Sequence, residues 1–223
     1  MNKSKIPKFE KYDRFKANGY RAYNYKMPAI YDNCIWAKVF DVSLWDNTII
    51  SEMDKNMSSA KILDVGCATG RLLCKLGLNG ANNLAGIDIA PNIIKAAQQR
   101  LLDNNIKADL QTADVECNIP WADNSFDYVI LSGSIHHFFR PIEALKEVYR
   151  VMINGGKLIV AEPWFPVIIR QILNLWLFIF SHDGDYHFYS PSQMRRLIST
   201  VDINHLSCKR IGILSYLVTG LKD

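Results

Sequence analysis

The sequence is poor in cysteine and lacks any Cys-x-x-Cys pair. It has 223 residues and five cysteines, an odd number that does not suit a framework of disulfides. Its cysteines and histidines do not cluster at the spacing of a zinc site, so we predict neither a disulfide nor a bound metal. Unpaired cysteines are typical of a reducing compartment, which favours a cytoplasmic location.

Long hydrophobic runs are also missing, although about half of the residues are hydrophobic (49%). The most apolar stretch, residues 165–180, is interrupted by Arg170, Gln171 and Asn174. It is shorter than the ~20 residues that a membrane-spanning helix needs. Arg170 and Asn174 share one helical face because they stand four apart. The pattern therefore predicts a buried or interfacial amphipathic helix, which leaves contact with a membrane surface open, but no membrane span.

Acidic residues are scarce near the N-terminus, where cations and aromatic residues alternate. Residues 1–28 contain eight Lys or Arg and two acids, a net charge of +6, so the rest of the chain carries −2 of the total of +4. No apolar run follows, so this arm is not a secretory signal. Such an arm is typically a solvated helix, but it also suits a phosphate backbone, an anionic lipid surface or an acidic substrate.

From Ala60 onward, predicted strands and helices alternate. Such alternation is typical of parallel β-α-β units and a sheet covered on both faces. We predict a doubly wound α/β fold, with a mostly parallel, seven-stranded, Rossmann-like sheet and an antiparallel C-terminal edge. The predicted strands cover residues 61–65, 83–88, 107–112, 126–131, 157–161, 204–210 and 213–218. We divide the chain into an N-terminal arm with lid helices (1–58) and a ligand-binding domain (59–223) that contains an inserted segment (164–189).

A glycine-bearing turn follows the first strand, in Ile62-Leu-Asp-Val-Gly-Cys-Ala-Thr-Gly70. Gly66 permits a sharp turn, and Gly70 permits close packing at the start of the next helix. A dinucleotide site requires G-x-G-x-x-G, whereas this turn reads G-x-x-x-G with Ala68 in the middle. The spacing therefore weakens a NAD-dependent oxidoreductase interpretation.

Three acids, Asp64, Asp88 and Asp114, stand at the ends of three successive predicted strands. The ends of parallel strands share one edge of the sheet, so these carboxylates are expected to lie together. Asp88 follows Gly66 by 22 residues, near the ~20 expected for an acid that binds ribose hydroxyls. Asp114 is suited to accept a hydrogen bond from an adenine amino group.

With these motifs in order over roughly a hundred residues, segment 61–163 resembles the class I methyltransferases that use S-adenosylmethionine. It is most similar to the type 11 group, which includes quinone-biosynthesis enzymes. The matching pieces are Leu63 to Gly70, Gly86-Ile-Asp88, Ala113-Asp114, Phe126-Asp127, Ser134-Ile-His-His137, Arg150-Val151 and Gly155-Gly156. The sequence departs from the group at Ala68, Ala90 and Asn154, where glycine, serine and proline are more usual.

The resemblance implies an enzyme with S-adenosylmethionine as cofactor and S-adenosylhomocysteine as product. The residues that it assigns to the cofactor are Asp64, Gly66, Cys67, Ala68, Gly70, Asp88, Ile89, Asp114, Val115 and Ser132. It also implies that the N-terminal helices form a lid, with Tyr20 or Tyr31 as candidate contacts. His136 or His137 is either a general base or a residue that only shapes the pocket.

For the acceptor we predict a small, partly hydrophobic molecule, bound between the lid and the inserted segment. The candidate pocket residues are His137, Glu162, Trp176 and Tyr189. The segment 164–189 is interpreted either as a wall of this pocket or as an ordinary core helix. Two alternatives remain. One is an RNA methyltransferase that uses the basic arm, although no Asn-Pro-Pro-Tyr-type tetrapeptide follows the fourth strand. The other is a non-enzymatic regulatory module that binds S-adenosylmethionine.

Overall fold

The N-terminal part of the chain folds into short helical elements. The computed structural model describes residues 14–33, 38–53, 57–180 and 184–223, so the first half of the predicted basic arm lies outside the described residues. The elements are helix α1 (Arg14–Arg21), a π-helical turn (Ala22–Lys26), helix α2 (Met27–Ile30), a 3-10 turn (Tyr31–Asn33) and helix α3 (Val42–Ser51).

Strands and helices alternate from Lys61 onward, as the sequence predicts. The first half contains β1 (Lys61–Val65), α4 (Arg71–Leu78), β2 (Asn83–Asp88), α5 (Pro91–Asp103), β3 (Ala108–Thr112) and β4 (Phe126–Ser132). The second half contains α6 (Pro141–Val151), β5 (Met152–Pro163), α7 (Val167–Phe180), α8 (Pro191–Ile198), β6 (Ile203–Ile211) and β7 (Ser215–Lys222).

The seven strands form one sheet in the order β3-β2-β1-β4-β5-β7-β6. The first five strands are parallel, and β7 pairs antiparallel with both β5 and β6. The predicted seven-stranded, mostly parallel sheet with an antiparallel C-terminal edge is therefore confirmed. The strand order reverses at β1, between β2 and β4, which in folds of this kind marks the crevice for a ligand.

Helices cover both faces of the sheet because the central strands are apolar on both sides. In β4, for example, Val129, Ile130 and Leu131 are all fully buried. One face packs against α6 and α8 and the other against α3 and α4. This burial supplies the main driving force for folding and makes the sheet a rigid base for the loops at its edge.

The fifth strand is longer than we predicted. It extends over Met152–Pro163, and its pairing with β4 jumps from Phe126–Met152 to Tyr128–Lys157. Residues 153–156 therefore bulge out of the ladder, and Gly155 accommodates the bend with a φ of 77°. The Asn154-Gly-Gly sequence, which precedes the predicted strand 157–161, is thus a bulge within the observed one.

Helix α3 connects the N-terminal part to the sheet. Trp45 and Ile49 are buried, and the Trp45 Nε1 donates a hydrogen bond of 2.7 Å to Ser215 Oγ at the start of β7. On the same helix, Asp46 pairs with Arg71. Within the described part of the chain, no helix combines the length and the apolar character that crossing a bilayer requires.

Candidate active site

A cavity opens where the carboxyl ends of β1, β2 and β4 meet. The volume of the cavity is about 100 Å³. Its walls come from the strand-end loops, from the N-terminal helices and from the loop after α7. The lining residues are Gly19, Tyr20, Tyr23, Tyr31, Gly66, Ala68, Ile87, Asp88, Ile89, Ala113, Asp114, Val115, Glu116, Gly133, Ser134, His137, Phe138 and Gly184.

The turn after β1 forms the floor of this cavity. The backbone amides of Gly66 and Cys67 donate hydrogen bonds of 2.8 and 3.0 Å to the carbonyl of Ile87, which fixes the turn to β2. Gly66 has a φ of 75°, and a Cβ at this position would lie 2.6 Å from Ser134 Cβ. A Cβ on Gly70 would lie 3.0 Å from Ala97 Cβ, so this glycine allows α4 and α5 to pack closely. Cys67 and Gly70 do not line the cavity itself.

Ala68 occupies the strained position of the turn. Its φ is 46°, in the left-handed region, and its amide donates a hydrogen bond of 3.2 Å to Asp88 Oδ2. A Cβ makes this region unfavourable for residues other than glycine. This left-handed conformation explains why glycine is more usual at this position in similar sequences.

We expect Ala68→Gly to raise the free energy of unfolding by about 0.5 kcal/mol, because relief of the left-handed strain exceeds the entropic cost of glycine. Urea unfolding measures the change. Ala90→Gly is the control, because Ala90 is buried with an ordinary φ of −100° and its replacement should be destabilising. Equal destabilisation by both substitutions would contradict the strain at Ala68.

Asp88 closes the turn from the β2 side. Its Oδ1 accepts a hydrogen bond of 3.0 Å from the Ala90 amide, while Oδ2 accepts the one from Ala68. Burial raises the pKa of Asp88 to about 6, although these backbone donors oppose the shift. The carboxylate lines the cavity and is ready to accept further hydrogen bonds there.

The other two strand-end acids differ from Asp88. Asp64 is 2% exposed and lies beneath the cavity rather than in its wall, and burial raises its pKa to about 7. Asp114 lines the cavity, where its Oδ1 accepts a hydrogen bond of 3.0 Å from the Glu116 amide. Glu116 also lines the cavity and accepts a hydrogen bond of 2.6 Å from the Phe139 amide, a role that we did not predict.

The end of β4 places Gly133 and Ser134 in the cavity wall, whereas we had assigned Ser132. Ser132 is the last residue of the strand and does not line the cavity. The buried hydroxyl of Ser134 has no hydrogen-bond partner among the described residues. A buried hydroxyl without a partner is costly, so this one is suited to a polar ligand atom.

Tyrosines of the N-terminal helices cover the opposite side of the cavity. Tyr20 is buried at 4% exposure, and Tyr23 and Tyr31 lie with their ring centroids 5.9 Å apart. Asn24 fixes this segment to α5, because its side-chain oxygen accepts a hydrogen bond of 3.0 Å from the Asn92 amide. Both tyrosines that we named as candidate contacts, Tyr20 and Tyr31, thus lie at the cavity.

Two adjacent histidines, His136 and His137, connect the cavity to the carboxylates of Asp185 and Glu162. His137 Nδ1 lies 3.0 Å from Asp185 Oδ1 and 3.2 Å from the Gly184 carbonyl, so this nitrogen carries the proton. The Nε2 lone pair is then free to accept a hydrogen bond from the Tyr23 hydroxyl at 2.9 Å. His137 therefore presents an acceptor nitrogen toward the tyrosine side of the cavity.

His136 supports Asp185 from behind. Its Nδ1 lies 2.6 Å from Glu162 Oε2, and its Nε2 lies 3.8 Å from Asp185 Oδ1. Burial favours the neutral ring, but the charges of Glu162 and Asp185 outweigh it and raise the pKa of His136. Burial likewise opposes ionisation of Asp185, but His137 and His136 outweigh it and lower its pKa to about 2. Asp185 is thus held as a carboxylate behind His137.

His136, His137 and Asp185 are also the one group of potential metal ligands that the described residues bring within 4.8 Å of one another. His137 Nδ1 lies 3.0 Å from Asp185 Oδ1, and a protonated Nδ1 offers no lone pair to an ion. These contacts favour a proton-holding cluster over a metal site, and our expectation of no metal stays a prediction.

The remaining predicted pocket residues are placed differently from His137. Glu162 is 2% exposed and acts through His136, and it also accepts a hydrogen bond of 3.1 Å from the Ile135 amide. Tyr189 packs against the core and does not line the cavity. Trp176 is 48% exposed on α7 and does not line it either. The inserted segment contributes Gly184 and Asp185 to the site, not its aromatic residues.

The comparison with known proteins agrees with this geometry. A family described as "Methyltransferase domain" matches residues 63–160, which run from β1 into β5. This part of the chain resembles class I, S-adenosylmethionine-dependent methyltransferase domains, including those of quinone-biosynthesis enzymes.

Among individual proteins, the chain is similar to the demethylmenaquinone methyltransferase of Staphylococcus epidermidis, at 30% identity over 138 residues, 60% of this chain and 56% of the relative. It is also similar to the tRNA U34 carboxymethyltransferase of Helicobacter acinonychis, at 32% identity over 124 residues, 52% of this chain and 47% of the relative. The chain thus spans about half the length of these relatives. A solved structure from Thermotoga maritima, described as a possible histamine N-methyltransferase, shares the fold with a TM-score of 0.72 and 16% identity, covering 92% of this chain and 100% of that one.

The cavity suits S-adenosylmethionine on three structural grounds. A carboxylate, Asp88, faces it from the end of β2, and a second, Asp114, follows β3. Gly66 lines the cavity at a point where a Cβ would lie 2.6 Å from Ser134 Cβ, and Ser134 offers a buried hydroxyl without a partner among the described residues. Hydrogen-bond acceptors for ribose and adenine thus lie beside a backbone that allows close approach.

Proposed function

We propose that this chain transfers the methyl group of S-adenosylmethionine to a small, partly hydrophobic acceptor, in the cavity between the glycine turn and the N-terminal tyrosines. The observation that supports this most is the division of the cavity into two unlike sides. Asp88 and Asp114 line one side, whereas Tyr20, Tyr23 and His137 line the other. A polar nucleoside suits the first side and a flat apolar molecule the second.

The cofactor assignment follows the resemblance. Asp88 would hold the ribose and Ile89 would pack on the adenine, with Asp114 and the Val115 backbone at the adenine edge. Gly66, Ala68 and the residues beneath them, Asp64, Cys67 and Gly70, would form the methionine end, with Ser132 or its neighbour Ser134 near the sulfonium. When bound, the cofactor supplies an electrophilic methyl group. The task of the protein is then to orient the acceptor and to remove water, which can lower a barrier by about 7–11 kcal/mol.

On the acceptor side we assign His137 as the proton acceptor. Its Nδ1–H is held by Asp185, so its Nε2 is oriented toward Tyr23, 2.9 Å away. An acceptor hydroxyl in the position of the Tyr23 hydroxyl would give its proton to this nitrogen. A hydroxylated aromatic ring fits both the aromatic walls and this lone pair. The similarity to a demethylmenaquinone methyltransferase supports the same class of acceptor.

The N-terminal helices and residues 184–185 would close over the acceptor as a lid. Gly19 and Gly184 meet there, because a Cβ on Gly19 would lie 3.2 Å from Gly184 Cα. A cytoplasmic location is part of the proposal, and it agrees with Cys67, Cys74, Cys117 and Cys208 being thiols rather than disulfides.

The test is formation of S-adenosylhomocysteine in the presence of a reduced, short-chain prenylated naphthoquinol, with bulk tRNA as a second acceptor. We expect turnover with the quinol, and a reduction of kcat by about a hundredfold or more in His137→Ala, because general bases contribute at least this much. His205→Ala is the matched control, since His205 is exposed on the edge strand and pairs with Asp223.

Three outcomes would contradict the proposal. Turnover only with tRNA, decreasing as salt is raised, would favour the RNA alternative that the basic arm allows. Cofactor binding without product from either acceptor would favour a regulatory module. Equal kcat in His137→Ala and the wild type would show that His137 does not accept the proton, while the assignment of methyl transfer would still stand.

A further inference from the structure

Helix α7 exposes most of its apolar residues, whereas an ordinary surface helix turns its apolar side toward the protein. Its inward side carries Arg170 and Asn174 beside the buried Leu177. Asn174 holds this orientation with two backbone hydrogen bonds to Phe188, a donated one of 3.0 Å to the carbonyl and an accepted one of 2.8 Å from the amide. Arg170 and Asn174 therefore face the protein, whereas most of the apolar residues of α7 are exposed.

The outward side of α7 is a largely apolar surface, interrupted by the exposed Gln171. Eight of its large apolar side chains are between 48% and 68% exposed, namely Val167, Ile168, Ile169, Ile172, Leu175, Trp176, Phe178 and Ile179. At 100° per residue these positions cover an arc of roughly 200° of the helix. Contiguous exposed apolar surface of this extent marks an interaction site rather than ordinary surface variation.

The apolar surface continues beyond the start of α7. The Trp164 amide donates a hydrogen bond of 2.7 Å to the Leu214 carbonyl, which places the β6–β7 turn next to α7. Ile213, at the tip of this turn, is 81% exposed. Phe40 packs edge-on against Phe165, so the exposed Val39 lies nearby.

Positive charge lies beside this surface near the start of α7, and α7 contains no acid. Arg210 stacks over Trp164 at 3.7 Å, and Lys38 precedes the exposed Val39. An apolar face with cations at its margins is the pattern of a helix that lies in the surface of an anionic membrane.

We propose that α7 inserts its apolar side into the surface of a membrane that contains anionic lipids. At 14 residues the helix is about 21 Å long, too short for a hydrocarbon core of ~30 Å, so it lies in the plane of the interface. In that orientation its apolar side is buried at the boundary between headgroups and acyl chains. The proposal does not depend on the reaction in the cavity.

Flotation with phosphatidylcholine vesicles, with and without phosphatidylglycerol, tests the proposal. We expect the wild type to float with the anionic vesicles and to dissociate as salt is raised. The double variant Ile168→Glu/Ile172→Glu should bind more than about tenfold more weakly, because two inserted side chains become charged. The matched control is Leu78→Glu/Leu102→Glu, at two leucines that are 67% and 70% exposed on α4 and α5; it should bind as the wild type does.

Light scattering measures the oligomeric state of each protein, and thermal unfolding measures its stability. We expect both double variants to retain the wild-type unfolding temperature, because all four positions are exposed. Wild-type protein that stays with the soluble fraction at every lipid composition would overturn the proposal. So would a wild-type dimer that dissociates in the Ile168/Ile172 variant without any vesicle binding, because α7 would then contact a second copy.

Discussion

Asp88→Asn is expected to weaken binding of S-adenosylmethionine by about a hundredfold. A hydrogen bond to a charged acceptor contributes about 1.5–3 kcal/mol, and the amide retains one acceptor oxygen but no charge. The variant should fold, because burial already disfavours the charged form of this carboxyl and raises its pKa to about 6. Calorimetric titration with S-adenosylmethionine and with S-adenosylhomocysteine measures the loss.

The raised pKa of Asp88 also predicts how binding depends on pH. Ribose hydroxyls donate to the ionised form, so wild-type affinity should be constant above about pH 6 and fall as the pH drops below it. In Asp88→Asn this decrease should be absent. Asp103→Asn is the control, because it removes the same charge at a residue that is exposed at the end of α5. An unchanged affinity in Asp88→Asn would place the ribose elsewhere.

Gly66→Ala is expected to lower the free energy of unfolding by about 2–4 kcal/mol and to abolish measurable cofactor binding. Two costs add at this position. The φ of 75° is unfavourable for alanine, and the new methyl group would lie 2.6 Å from Ser134 Cβ. Ser134 is 4% exposed, so it has little room to move away. Relief of the clash would therefore displace the glycine turn or the loop after β4, and both line the cavity.

Gly155→Ala separates these two costs. Gly155 has nearly the same φ, 77°, but nothing lies within 4 Å of a Cβ there. Its replacement should cost only the conformational part, about 1 kcal/mol, and should leave cofactor binding unchanged. Urea unfolding of both variants, with titration of the cofactor, gives the comparison. Equal destabilisation would show that the contact with Ser134 has no energetic role.

Much of the fold follows from patterns within short stretches of the chain. Pro91 begins α5 and Asp103 ends it, and both bounds are readable from the sequence because proline at the first helical position and polar residues after the last are local signals. The end of β4 was harder to predict from the sequence. Whether Ser132 or Ser134 faces the cavity depends on the residue at which the strand turns away from the sheet. The bulge at residues 153–156 likewise depends on the pairing with β4.

By itself the sequence determined the parallel sheet and the position of its acids. Apolar runs of the right length must be buried as strands, and the acids that follow them meet at one edge because all parallel strands end there. Only the tertiary structure decided which partners surround His137 and which way α7 faces. Tyr23 is separated from His137 by 114 residues, and no local pattern joins them. The orientation of α7 shows in the hydrogen bonds of Asn174 to Phe188, which join residues 14 apart in the sequence and keep Asn174 against the protein.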